Sequence, residues 1–408
     1  MSPGPPAATF LVHREGSTER DSVHIEFNAS ERASLGIEME LEVVDVVTRE
    51  LASVATELLG AMGHGHPNGE HPKAKHELFE STVEIITGVC DNVGEARADL
   101  EATLLELSQH ARRRGLGILC SGSHPFSHWS TQKISPSPRY HKLVDEMQWL
   151  ARRLAIFGIH VHVGVRSAEK AIAIANGLTA YLPHFLAISA SSPFWMGNDT
   201  GLASSRSKVF ESLPMAGLPH QLADWCEFEE FMTTLIRSKA ITSIREVWWD
   251  IRPHPDFGTV ELRVCDGVPR MSEVAALAAL TQCLVDSMDA GLEEGRAPVV
   301  PKAWIIRENK WKAARYGMEA EIIVDDQGTL RSLRDTVEEL VQELAPVARR
   351  LDCTEELTAV TAVIDEGPSY ARQRALVADG ASLAYVVDAL QDELRTDRPV
   401  RPAGQEKG

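Results

Sequence analysis

GIEMELEVVD, residues 36–45, alternates carboxylate and apolar side chains over most of its length. In an extended strand successive side chains point to opposite faces. Glu38, Glu40 and Glu42 therefore line one face, and Ile37, Met39, Leu41 and Val43 the other. Like charges that close together push one another toward the protonated state unless water or a cation neutralises them. An amphipathic strand with a wet face would explain one such segment, but the pattern returns three times.

STVEIITG places Glu84 in a β-branched run, FGIHVHVGV carries His160 and His162 on one face, and GTVELRVCD alternates Glu261 and Arg263 with Val260, Leu262 and Val264. Each run has strand length and a two-residue period in its ionisable groups. As neighbours in one sheet, these strands would merge their polar faces into a concave surface bearing Glu38, Glu40, Glu84, His160 and Glu261, with Arg263 beside them. Oxygen-rich ligands with one imidazole suit magnesium or manganese better than zinc.

The chain has 408 residues, 44% of them hydrophobic, and a formal net charge of −18. It can bury a large core. The clustered cations that nucleic acid requires are missing, because Arg112–Arg114 and Arg349–Arg350 sit in acid-rich helical segments. The acidity suits a protein whose anionic substrate is neutralised by metal ions and a few placed arginines. Six scattered cysteines give neither a zinc motif nor a disulfide scaffold, and a reducing cytoplasm is the simplest setting. The most apolar stretch, Val274–Val285, is too short for a membrane span and carries Thr281 and Gln282, and the N-terminus has no export pattern.

Along the chain, residues 1–33 read as a partly disordered arm with a short strand near Val23–Phe27, residues 34–395 as one catalytic domain, and residues 396–408 as a disordered tail. Helices are expected over Leu51–Met62, from an Asp91 cap to Arg114, over Arg139–Phe157 and over Ser167–Ser191. His64, His66, His71 and His76 fall in a Gly- and Pro-rich stretch that reads as a mobile loop rather than a transition-metal site. Ser191–Pro214 is a long ordered loop, and REVWWDIRPHPDFG pairs with the Glu261 strand as a hairpin turning at Pro253–Asp256. From Met271 the chain is helical apart from MEAEIIV.

Strands alternating with helices suggest a doubly wound parallel sheet. Such sheets, however, are apolar throughout and place their sites beyond the strand ends, whereas these strands carry polar groups at mid-strand. The expected fold is α+β: an open antiparallel sheet with one concave, ligand-binding face and helices packed on the other.

GIEMELEVVD, STVEIITGVC, GSHPF, FGIHVHVGV, WWDIRPHPDFGTVELRVCD and NKWKAARYG, in this order, resemble the type 2 glutamate–cysteine ligases among the carboxylate–amine ligases. The likeness runs from about Ser34 to GPSYARQR. It implies the glutamine synthetase and glutamate–cysteine ligase superfamily, whose curved antiparallel sheet cups ATP, magnesium ions and an amino-acid carboxylate. By resemblance Glu38 and Glu40 match a metal-binding E-x-E pair, Glu84 the carboxylate of the next strand, and His160 the strand histidine. Glu261 and Arg263 match an E-x-R whose glutamate holds metal and whose arginine meets the phosphoryl group in transfer. Glu77 is a further carry-over, although a regular strand to Glu84 would put the two on opposite faces. Glu42 and His162 line the face, His162 on the substrate side. A homodimer is also implied.

The activity implied is an ATP-dependent ligase that converts a carboxylate, most simply the γ-carboxyl of glutamate, to an acyl phosphate which an amine then attacks, with cysteine as acceptor. Bringing an anion to a polyanion calls for divalent ions and arginines. Arg263, Arg252 and Arg206, with Lys310 and Arg315, are the clamps for phosphate or substrate carboxylate. Trp248 and Trp249 read as core rather than adenine platform. The alternatives are the same mechanism with another amine or carboxylate, a metal-dependent amidohydrolase, and a binding protein that has kept the fold.

Overall fold

The computed structural model describes residues 23–402. Its centre is a seven-stranded sheet made of β1 (Leu35–Asp45), β2 (Ala74–His76), β3 (Thr82–Ile86), β4 (Leu116–Leu119), β5 (Ile159–Gly164), β6 (Ile251–His254) and β7 (Thr259–Leu262). The order is β6-β7-β5-β1-β3-β2, with every pairing antiparallel. β1 pairs with β3 along one edge, while β5 and β4 share the other: β5 takes Leu35–Met39 and β4 takes Glu42–Asp45. The longest strand thus lies at the centre because it alone is shared by three partners. Pro253, which cannot donate to a ladder, sits on edge strand β6.

The two-residue period decides which face is dry. Leu35, Ile37, Met39, Leu41 and Val43 are buried, together with Val83, Ile85, Ile159, Val161, Val163, Val260 and Leu262. This face joins one core cluster with the helices Ala55–Met62, Val93–Arg112 and Met271–Glu293. Every residue from Val274 to Val285 is buried, because Met271–Glu293 is covered by the sheet on one side and by Leu333–Arg350 and Thr354–Glu366 on the other. A helix apolar all round requires such a sandwich. The α+β expectation holds.

Several local expectations need correction. The first helix begins at Ala55, since Leu51 is held extended by a bridge to Val44. Asn92, not Asp91, caps the next helix by accepting from Glu95 N at 2.9 Å, and that helix ends at Arg112. Arg139–Phe157 is not one helix: Pro138–Met147 and Trp149–Arg152 are split at Gln148, whose φ is +49°. Ser167–Ser191 also divides, into Ala168–Leu178 and Leu182–Ser189, with Pro183 opening the second piece. Ala168–Ser189, rather than Val274–Val285, is the stretch long and apolar enough to cross a membrane (22 residues, mean hydropathy 1.4), but 78% of its apolar window is buried inside the protein.

Of the N-terminal arm, residues 1–22 lie outside the described residues. Val23–Phe27 is extended but joins no sheet among the described residues: Val23 N donates to Thr233 Oγ1, Ile25 N to Glu229 Oε1, and Trp225 Nε1 to Ile25 O. At the other end the last helix closes at Thr396, Asp397 accepts from Ser272, and residues 403–408 lie outside the described residues.

Candidate active site

Strand register brings the polar residues together. Glu38 stands opposite His160, Glu40 opposite Glu84, Glu84 opposite Lys75, and Glu261 opposite both His162 and Arg252. Directly opposed side chains lie about 5 Å apart at Cβ. Gly36 stands opposite His162. Glu77 reaches the same basin because β2 ends at His76 and the chain turns before β3, so strand parity does not apply to it.

Two groups of donors result, Glu38–His160–Glu261 and Glu40–Glu77–Glu84, each with its ligand atoms within 4.8 Å of one another. Among the described residues these are the groups able to hold a metal ion. Five carboxylates and one imidazole form a hard donor set that fits magnesium or manganese and lacks the thiolates and paired imidazoles of a closed zinc site. The four histidines of the Gly- and Pro-rich stretch form no such group; His66 and His71 instead pack edge to face.

Cations already crowd these acids. Arg252 Nε donates to Glu261 Oε2 at 2.6 Å, and Arg263 Nη1 donates to Glu261 Oε1. Lys75 Nζ lies 2.6 Å from Glu84 and 3.8 Å from Glu38. His160 Nδ1 is 3.1 Å from Glu38 Oε2. His162 Nδ1 is 3.1 Å from Thr259 Oγ1, while its Nε2 faces Glu38 and Glu261 at 3.7 and 3.8 Å. Gly158 N donates to Glu40 Oε2 at 2.6 Å.

Burial and charge then split the carboxylates. Burial raises Glu38, Glu40, Glu84 and Glu261 alike, but at Glu261 the guanidiniums of Arg252 and Arg263 outweigh it and hold the acid well below its ordinary range. At Glu38 the hydrogen bond with His160 and the charges of His162 and Lys75 do the same. Glu40 is pushed up to about 7 by burial and then by the charge of Glu77. Glu84 also rises well above its ordinary value, through burial and the charge of Glu38. Burial and then the Arg263 charge lower His160 to about 4, so it is a neutral imidazole at pH 7 and free to ligate. Glu38 and Glu261 are thus ionised, while Glu40 and Glu84 hold protons that a cation would displace.

Glu42 is fully buried and accepts from Ser121 Oγ at 2.6 Å rather than lining the open face. Burial pushes it up to about 8. The folded chain keeps a proton here that the unfolded chain releases near 4.5, so Glu42 lowers stability progressively as pH rises from about 4.5 to about 8. The melting temperature of Glu42→Gln minus that of the unmutated protein should therefore increase between pH 5 and pH 8. A difference flat across that range would refute the assignment.

Above the two groups is a cleft of about 540 Å³ whose lining includes Arg139, Arg206, Arg245, Arg252 and Arg263, a notable convergence in so acidic a chain. A larger groove of about 790 Å³, between Val93–Arg112, β4 and Leu383–Thr396, holds neither donor group. Chemistry rather than size selects the cleft.

Lys310 and Arg315 are not brought to the cleft. Lys310 is buried between Asp250 and Glu211, at 2.5 Å from each, and Arg315 donates to Gly201 O. Their helix, Ala303–Tyr316, packs instead on Leu182–Ser189. Trp249 is core, but Trp248 lines the cleft. Residues that sequence reading missed are Lys75, Tyr140, Arg139 and Arg245, and the stacked pair His254 and Phe257, whose rings lie 4.2 Å apart. Lys75 belongs to a strand of only three residues, too short to show a period.

The family model described as glutamate–cysteine ligase family 2 matches residues 34–389. A relative from Frankia alni, provisionally named glutamate–cysteine ligase 2-1, is 57% identical over 380 residues, covering 93% of this chain and 99% of its own. A relative from Thermobifida fusca, with the provisional name glutamate–cysteine ligase 2, is 50% identical over 375 residues, covering 92% and 94%. Among solved structures, glutamate–cysteine ligase from Francisella tularensis in complex with AMP aligns with a TM-score of 0.66 at 14% identity, over 91% of this chain and 90% of that one. A bifunctional glutathione synthetase from Pasteurella multocida aligns with a TM-score of 0.63 at 13% identity, over 90% of this chain and 52% of the other. At these identities the structures speak to the fold.

Proposed function

The chain belongs to glutamate–cysteine ligase family 2, and from that premise we infer that this ATP-dependent ligase joins the γ-carboxyl of glutamate to the amine of cysteine through an acyl phosphate. Supporting this most directly is the arginine-lined cleft whose wall carries Glu38, His160, Glu40, Glu77 and Glu84, with Glu261 grouped behind Glu38 and His160. A carboxylate is a poor acyl donor. Its oxygen attacks the γ-phosphorus of ATP and the bond to ADP breaks. The amine then attacks the acyl carbon, the carbon–oxygen bond to phosphate breaks, and the amine loses a proton.

Two anionic partners, the substrate carboxylate and ATP, meet in the first step, and the residues sort by what each needs. Glu38, His160 and Glu261, and separately Glu40, Glu77 and Glu84, would hold magnesium ions, with manganese as a substitute. Such ions neutralise phosphate oxygens and polarise the phosphorus. Arg263 stands beside Glu261 with its fork on the cleft side, suited to the oxygens of the group in transfer. Arg252 is committed to Glu261 and to the carbonyls of Ile244 and Val247, so it orients that glutamate. Arg206, Arg139 and Arg245 remain to bind substrate carboxylates and outer phosphates. Residues 34–395 act as one catalytic domain, as a homodimer in the cytoplasm, on small molecules rather than nucleic acid or membrane.

The test is phosphate release by purified protein with ATP, magnesium and glutamate against a panel of amines, with product masses. Cysteine should give γ-glutamylcysteine, ADP and phosphate. Turnover with another amine and none with cysteine would transfer the assignment to that acceptor. Amide cleavage without ATP would point instead to a hydrolase.

A further inference from the structure

GPSYARQR, residues 367–374, lines no part of the cleft, yet it grips the segment that delivers one of the cleft arginines. Ser369 Oγ lies 2.8 Å from Ser191 Oγ, Gln373 Nε2 donates to Ser191 O at 3.1 Å, and Tyr370 N donates to Ala190 O at 2.9 Å. Arg374 reaches Asp199 and Leu202 O at the outer bend of the same segment. The stretch is itself fixed by buried Arg372, paired at 2.7 Å with both Glu273 and Glu393.

On the inner side of that segment sits Asp266, with no exposed surface. Its Oδ2 accepts from Ser191 N at 3.0 Å and from Ser192 Oγ at 2.7 Å, and its Oδ1 accepts from Ser204 Oγ at 2.8 Å. One carboxylate thus staples both ends of the excursion, which are also bridged at Ser192 and Ser204. Ser192 Oγ in turn accepts from Arg206 N at 3.0 Å. The Arg206 guanidinium donates to Val264 O and Arg263 O at 3.3 and 3.4 Å and lines the cleft. Two glycines clear the way: a Cβ on Gly122 would stand 2.5 Å from Asp266 Oδ2, and one on Gly158 would overlap the Arg206 fork.

We propose that Asp266 is a positioning residue for the ligase reaction, fixing the Ser191–Arg206 segment, with Gly367–Arg374 behind it, so that the Arg206 guanidinium is held on the cleft wall. The proposal rests on reading the cleft as the ligase site. Asp266 Oδ1 also lies 3.9 Å from Arg206 Nη1, so the same carboxylate reaches both the backbone, through Ser192, and the guanidinium end of that arginine.

Asp266→Asn keeps the shape and weakens the staple. Its kcat for ATP-dependent phosphate release should fall roughly tenfold, and that of Arg206→Ala about a hundredfold. The double variant should be no slower than Arg206→Ala, because Asp266 acts only through Arg206. Multiplying losses, or unmutated kcat in Asp266→Asn, would overturn the proposal. A crystal structure of Asp266→Asn gives an answer independent of substrate: the guanidinium should leave the carbonyls of Arg263 and Val264, and an unmoved fork counts against the role. Failure of the ligase reading shows separately, as no phosphate release from the unmutated protein. Should Asp266→Asn not fold, Ser192→Ala removes only the hydroxyl between Asp266 and Arg206 N and is held to the same outcomes.

Discussion

Glu261→Gln is expected to slow ATP-dependent phosphate release by at least about a thousandfold in protein that is still folded. The side chain has 1% of its surface exposed and lies between the Arg252 and Arg263 guanidiniums, with His160 and Glu38 as its partners in the first donor group. The amide keeps the volume and loses three things: a charged metal ligand, the counter-ion that orients Arg252, and the counter-ion that places Arg263 toward the cleft. Breaking a buried ion pair costs about 3–5 kcal/mol. A fold stabilised by roughly 5–15 kcal/mol survives that, with a lower melting temperature. Circular dichroism should show the helix and sheet content unchanged while single-turnover phosphate release is lost. A folded Glu261→Gln protein working within tenfold of the unmutated rate would remove Glu261 from the chemistry.

Glu261 is legible in the sequence because of the kind of structure the site is built on. A strand converts sequence parity into a face, so Glu38, Glu40, Glu84, His160 and Glu261 declared themselves as a set, and antiparallel pairing then placed them in register. Strand parity does not reach Glu77, because the chain turns between His76 and Thr82. Helix limits failed where a local feature outweighed periodicity: the positive φ at Gln148 and Pro183 after Tyr181.

The rest of the site was illegible because it depends on contacts between segments far apart in the chain. Lys310 carries the same charge as Arg206, and nothing local says that one is neutralised in the core by Asp250 and Glu211 while the other is stapled to the cleft. Arg139, Tyr140 and Arg245 arrive from helical and turn segments with no pattern of their own. Net charge pointed to the need for a few placed arginines, and the fold decides which.

Removing divalent cations with a chelator should bring phosphate release to background, and magnesium should restore it and raise the melting temperature. In Glu40, Glu77 and Glu84 three carboxylates converge, and two unit charges about 4 Å apart repel by roughly 4 kcal/mol at an effective dielectric near 20. Without a cation the folded protein relieves this by holding protons: Glu40 rises to about 7 and Glu84 also rises, each through burial first and a neighbouring carboxylate second. Because the folded state then binds more protons than the unfolded one, these groups lower stability as pH climbs from about 4.5 toward 7. A divalent ion replaces the protons and competes with them, so its stabilising effect should be small at pH 5 and grow toward pH 8. Glu84→Gln should diminish that growth even where activity is already lost, which separates metal binding from turnover. A melting temperature indifferent to magnesium across this range would mean that Lys75 and the arginines alone neutralise the cluster, and the second cation site would have to be abandoned.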